Sequence, residues 1–150
     1  MSTPAPSTHP VPTKRRVGLM TGGGDCPGLN PVIRAVVKRA ESLGWEVVGI
    51  EDAFHGLLEP NERHGTRALT SSDVAGLVCK GGTILGTSNR ANPFKWAEKR
   101  DGGFVEVDRS QEAVAKAKAL GIEGLITAGG DGSLLIARRL SELGLPVIGV

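Results

Sequence analysis

Three short segments carry residues whose types and spacing suit a polyphosphate anion: Thr21 to Gly28 (TGGGDCPG), Gly81 to Arg90 (GGTILGTSNR) and Gly129 to Ser133 (GGDGS). The first and third each follow a short apolar run and precede a helical pattern. Bare backbone amides and the helix dipole would there face an anion together. A β-carbon would hold phosphate oxygens away from the main chain, and glycine also opens left-handed dihedrals. Neither loop matches a P-loop, which needs a Lys-Ser/Thr pair, or the dinucleotide fingerprint with its following helix. Taken alone, the first loop is equally readable as a plain tight turn. Asp131 falls at the C-terminal end of a predicted buried strand, a place where carboxylates meet cations. Mg2+ carried by a nucleotide is the candidate, because it keeps several waters and needs only one or two protein carboxylates. The competing fate of Asp131, and of Ser133, is to cap the helix that follows. In the middle segment the Arg90 guanidinium could pair with phosphate oxygens or stay solvated.

Loops of this kind need a parallel sheet to hold them. Arg16 to Met20 is a short apolar run that reads as a strand ending in the glycine cluster. From Asn30, residues Val32, Ile33, Ala35, Val36, Val37 and Ala40 recur at helical spacing, with Arg34, Lys38 and Arg39 on the wetter side and Pro31 in the first turn. Gly44 closes that helix, and Glu46 to Ile50 is a second buried strand. A helix over 110–120, a strand over Gly124 to Ala128, a helix from Leu134 to Gly144 and a strand over Pro146 to Val150 follow by the same signals. The stretch from Glu51 to Asp108 is irregular, with Ser71-Ser72-Asp73 expected to cap a short helix through Cys79. The βαβ unit needs both sheet faces covered, so the fold class is α/β with a doubly wound parallel sheet.

Composition narrows the function classes. At 39% hydrophobic and 23% charged, the 150 residues suffice for one core and one compact domain. With 22 glycines and only three Phe, two Trp and no Tyr, the backbone is shaped by turns and close ligand approach. The 18 basic and 16 acidic residues are spread along the chain, net +2, which argues against nucleic acid as a partner. No stretch is long and apolar enough to span a membrane. Cys26 and Cys79 have no paired spacing, so neither a disulfide framework nor a zinc site is expected, and a reducing cytoplasm fits. Residues 1–14, rich in Pro, Ser and Thr without an apolar stretch, read as a disordered tail, with order beginning near Arg15.

In order and spacing the three motifs TGGGDCPGLN (Thr21 to Asn30), GGTILGTSNR and GGDGS resemble the phosphofructokinases, and NPF (Asn92 to Phe94) resembles their mixed-substrate branch of ATP and pyrophosphate users. The resemblance runs from about Arg15 to Val150. It implies a Rossmann-like N-terminal domain of that family. The implied reaction moves the γ-phosphoryl of ATP, with Mg2+, to the 1-hydroxyl of fructose 6-phosphate in glycolysis, in a homotetramer when complete. It implies that Gly23 lies against the donor phosphates, that Arg90 contacts ATP, that Gly130, Asp131, Gly132 and Ser133 line the nucleotide site, and that Asp131 holds Mg2+. Gly132 is the implied donor selector: an Asp there would add bulk and repulsion toward donor phosphates and favour pyrophosphate, whereas glycine leaves room for ATP. Arg34 and Lys38 match positions that bacterial members use for a phosphorylated effector, and a solvated basic helix face is the other reading.

Arg90 follows Asn89 one position later than the compact arginine motif of many members. The family's TIDND-like segment, with the aspartate that takes the sugar hydroxyl's proton, would begin just after Val150. The chain is therefore expected to be an N-terminal fragment, without catalytic residues of its own and inactive alone. Two alternatives stand beside the ATP-dependent reading: a pyrophosphate-dependent fructose 6-phosphate 1-phosphotransferase, and a non-catalytic nucleotide-binding remnant.

Overall fold

A computed structural model describes residues 14–150, so most of the predicted tail lies outside the described residues. In chain order the elements are β1 (Arg16–Thr21), α1 (Leu29–Ser42), β2 (Glu46–Ile50), α2 (His55–Leu58), β3 (Thr66–Leu69), β4 (Trp96–Arg100), β5 (Gly103–Val107), α3 (Ser110–Ala119), β6 (Gly124–Ala128), α4 (Asp131–Glu142) and β7 (Val147–Gly149). Five strands form one sheet in the order β3-β2-β1-β6-β7, and β4 and β5 form a separate hairpin. The β1–β2, β1–β6 and β6–β7 pairs are parallel.

Strand alternation sends Leu19 and Met20 to opposite faces of β1. Leu19 packs with Ile33 and Val37 of α1, Val47 of β2, and Leu77 and Leu85 of the irregular middle. Met20 packs with Phe54, Leu57, Ala113, Val114, Leu125 and Leu140, beneath α2, α3 and α4. Both faces are covered, as a parallel sheet of buried strands requires. The Leu19 face also takes in the irregular middle, because Gly49 has no side chain. A β-carbon there would lie 2.7 Å from Leu85 and 2.9 Å from Leu69, and its absence lets the segment after Gly81 lie down on β2.

Three expectations change. The sheet is mixed, because β3 runs antiparallel to β2 at the edge. The segment after Ser71 is not an α-helix but a run of turns ending in a single 3-10 turn, Leu77–Cys79. Gly76, at φ 71°, turns the chain out of the right-handed helical region, and Asp73 binds backward to the Thr70 amide at 2.7 Å instead of capping forward. The last strand is three residues, Val147–Gly149, rather than five.

On the Met20 face, Arg109 ties α3 to α2. It donates to both carboxyl oxygens of Glu112, at 2.8 and 2.9 Å, and to Glu59 at 2.6 Å. The Arg109 guanidinium, then the Lys116 ammonium, hold the Glu112 carboxyl at about 2, below its ordinary 4.5. A depressed carboxyl contributes stability that is whole above 4.5 and lost as pH falls toward 2. Glu112 is partly exposed, so solvent screens the effect. Replacement Glu112→Gln is therefore expected to lower stability above pH 4.5 and to match the wild type near pH 2, read by urea unfolding across that range.

Candidate functional site

The strand order reverses direction at β1: the chain winds outward through β2 on one side and through β6 on the other. Open α/β sheets bind ligands at such a switch point, outside the carboxyl ends of the strands. The loops after β1 and β6 leave there side by side. The Gly22 amide donates to the Ala128 carbonyl at 2.9 Å, and β-carbons on Gly22 or Gly129 would each come within 2.7 Å of Ser133 Oγ. Glycine at both positions therefore lets Ser133 sit between the two loops.

The middle segment closes over them. The Gly23 amide donates to Ser88 O at 3.2 Å, and Thr87 Oγ1 donates back to Gly23 O at 2.7 Å. Fully buried Thr21 donates to Gly86 O at 2.5 Å and lies 2.9 Å from Thr83 Oγ1. Asn30, 2% exposed in the first turn of α1, donates to the carbonyls of Lys80 and Gly81 at 3.2 and 3.1 Å, while the Ile84 amide donates to its Oδ1 at 2.9 Å. Thr21 and Asn30 look like ordinary strand-end and helix-start residues in the sequence, and only the folded chain shows what they hold.

Between the three segments lies a cleft of about 260 Å³ lined by Gly23, Gly24, Ser88, Asn89, Ala91, Asn92, Gly130, Asp131, Gly132, Ser133 and Ile136. Of the residues expected at a donor site, Gly23 and Gly130 to Ser133 are in this lining. Arg90 is not: it is exposed, and its neighbours Asn89 and Asn92 line the wall. Gly24, Gly130 and Gly132 each have open space where a β-carbon would be.

Asp131 is the first residue of α4, with Gly130 at the N-cap position and no side-chain cap. Its carboxylate is therefore not engaged in the competing capping role, and it is exposed at the cleft. Among the described residues no three His, Cys, Asp or Glu side chains group to hold a metal. A single carboxylate suits Mg2+ that brings its own waters and shares phosphate oxygens, and it does not suit a metal caged by protein.

Arg34 and Lys38 lie on α1, outside the cleft lining. Arg34 is half-buried, and Lys38 donates to Ser71 Oγ at 2.9 Å. Cys26 and Cys79 are exposed and unbridged. No helix among the described residues is long and apolar enough to cross a membrane.

The family model described as Phosphofructokinase matches residues 16–150. The chain belongs to the phosphofructokinase family. It is 50% identical over 137 residues to an ATP-dependent 6-phosphofructokinase of Chloroflexus aggregans, covering 91% of this chain and 37% of that protein. It is 44% identical over 138 residues to a pyrophosphate–fructose 6-phosphate 1-phosphotransferase of Dictyoglomus thermophilum, covering 92% of this chain and 36% of that one. The fold superposes on the solved phosphofructokinase of Pichia pastoris with a TM-score of 0.72 at 30% identity, over 95% of this chain and 15% of that one. The chain thus spans little more than a third of the curated phosphofructokinases it matches.

Proposed function

We propose that residues 15–150 are the donor-binding N-terminal part of an ATP-dependent 6-phosphofructokinase, which transfers phosphoryl from Mg-ATP to fructose 6-phosphate. The carrying observation is the cleft at the switch point, where Gly23 lines the wall and Gly130, Gly132 and Ser133 offer backbone and hydroxyl donors around one free carboxylate. In this reading Asp131 holds Mg2+ against the donor phosphates, and the metal supplies charge neutralisation when bound. Arg34 and Lys38 are kept as contacts for a phosphorylated effector, and a cytoplasmic homotetramer is the assembly that goes with this function.

Gly132 supports ATP over pyrophosphate, because open space stands where a carboxylate would project. Pyrophosphate remains the second reading, favoured by the 44% identity to a pyrophosphate-using relative. The test is calorimetric titration of the chain with Mg-ATP and with Mg-pyrophosphate, beside a Gly132→Asp variant. Nothing lies within 4 Å of the new β-carbon and Gly132 has no left-handed backbone, so the variant should fold. Loss of Mg-ATP binding by at least about tenfold, roughly 1.4 kcal/mol, is expected. Equal binding by both proteins would overturn the role of Gly132, and no binding of either donor to the wild type would overturn the donor site itself.

A further inference from the structure

The amide of Gly23 is engaged inside the protein, on the Ser88 carbonyl at 3.2 Å, so Gly23 has no N–H left for a donor phosphate. The next amide in the loop is that of Gly24, which lines the cleft, is exposed and has no acceptor among the described residues. The Gly23–Gly24 peptide sets where that N–H points. Both residues are glycine, and a half-turn of the plane changes only ψ of Gly23 and φ of Gly24, which glycine tolerates. Gly23 already stands at φ 85°, and Gly24 has open space where a β-carbon would be. The Ser88 bond fixes the peptide before Gly23, not the one after it. The latter is fixed by Thr87, whose Oγ1 donates to Gly23 O at 2.7 Å. The peptide is trans, so the Gly24 N–H points opposite to that carbonyl, away from Thr87. Thr87 is half-buried and stands outside the cleft lining, whereas Gly24 lies in it.

Resting on the donor-cleft reading, we propose that Thr87 is a positioning residue for the donor: by holding the Gly23 carbonyl, its hydroxyl keeps the Gly24 N–H aimed at the phosphates. Without that hydroxyl the peptide is free to turn over. The flipped plane presents the Gly23 oxygen where the N–H stood. An attraction for a phosphate oxygen then becomes a repulsion between two oxygens of like partial charge. Thr87 thus settles the sign of one donor contact without touching the donor. The hydroxyl is the operative group and the methyl is not, so serine serves as well as threonine.

The test is calorimetric titration of the chain with Mg-ATP and Mg-pyrophosphate for the wild type, Thr87→Val, Thr87→Ala, Thr87→Ser and Thr83→Val. Thermal melts set a titration temperature at which each variant is folded. Valine keeps the shape of threonine without the hydroxyl, and alanine is the smaller replacement. Both should weaken either donor by about tenfold or more, the worth of a hydrogen bond to a charged group. Thr87→Ser should stay within about twofold of the wild type. Thr83→Val removes a hydroxyl from the same segment, one that meets Thr21 and the Leu85 amide but not Gly23, and it should also stay within about twofold. Amide NMR gives a readout that lost stability alone does not move. Mg-pyrophosphate should shift the Gly24 amide proton downfield in the wild type and in Thr87→Ser, and leave it in place in Thr87→Val. Unchanged binding in the valine and alanine variants, no rescue by serine, or an equal loss in Thr83→Val overturns the role of Thr87 while leaving the donor cleft standing. Absence of wild-type binding to either donor overturns both.

Discussion

Replacing Gly56 with alanine is expected to cost the fold about 3 kcal/mol, the upper part of the range for overpacking a site that cannot relax. Gly56 is buried in α2, and its new methyl would press on the carbonyl oxygens of Glu51 and Gly65 and lie 2.8 Å from the Glu51 nitrogen. These are backbone atoms, so no rotamer change relieves the clash. They are also in use: the Gly56 amide donates to Glu51 O, and the Glu51 amide donates to Gly65 O, both at 2.9 Å. The turn between them already holds Asp52 and Ala53 at φ 49° and 57°, left-handed values that non-glycine residues rarely adopt. For a chain of this size the loss corresponds to a fall in Tm of roughly 6 to 12 °C. Gly65→Ala is the control, since its β-carbon would meet open space on an ordinary backbone, and it should stay within about 0.5 kcal/mol. Equal melting of the two variants by circular dichroism would show that α2 tolerates separation from β2.

The same turn explains what could be read from the sequence and what could not. The strands and helices on either side of the two glycine loops follow short apolar runs or helical periodicity, and both signals come from residues buried by one flat sheet. β1, α1, β2, α3, β6 and α4 accordingly fall within a few residues of where the sequence puts them. β3 leaves almost no such signal, because only Leu69 of its four residues is buried. The β4–β5 hairpin leaves less still: after Trp96 its residues are exposed until Val107, so no apolar alternation marks either strand. What holds these pieces is pairing and tertiary contact, such as the antiparallel β2–β3 ladder and the Trp96 indole donating to Glu59 Oε1 at 2.9 Å.

The cleft divides in the same way. Gly23 and Gly130 to Ser133 are legible because a strand end fixes them at the switch point. Ser88, Asn89 and Asn92 come from a segment whose path depends on Gly49 leaving room for Leu85. Ile136 belongs to an apolar helical stripe and reads as core, yet it is half-buried and forms one wall, because it lies one helical turn beyond Gly132.

Asn30 is the point where that irregular segment is pinned, and removing its side chain should have the second large effect. Asn30→Ala strips partners from the Ile84 amide and from the Lys80 and Gly81 carbonyls in a partly buried setting. Each polar group left unpaired costs about 1 to 3 kcal/mol, so a loss near 3 kcal/mol is expected even if water reaches some of them. The loss should be local as well as global. Hydrogen exchange should accelerate most at the Ile84 amide and through residues 81–88, the segment whose Ser88 carbonyl accepts from Gly23, and least in β1 and β6. Asn30→Asp separates the hydrogen bonds from the packing, because the shape is unchanged. Its carboxylate keeps the acceptor for Ile84 but faces two carbonyl oxygens with no donor and no cation. It should therefore destabilise at least as much as alanine at pH 8. Burial and the two carbonyls raise the folded-state pKa of that aspartate, so the neutral acid can donate at low pH. The variant should recover stability as pH falls through that raised value, opposite in direction to the Glu112 dependence. If Asn30→Asp melts like the wild type at pH 8, the hydrogen bonds to Lys80 and Gly81 do not hold the segment, and its placement over β1 must rest on Leu85 and Thr21 instead.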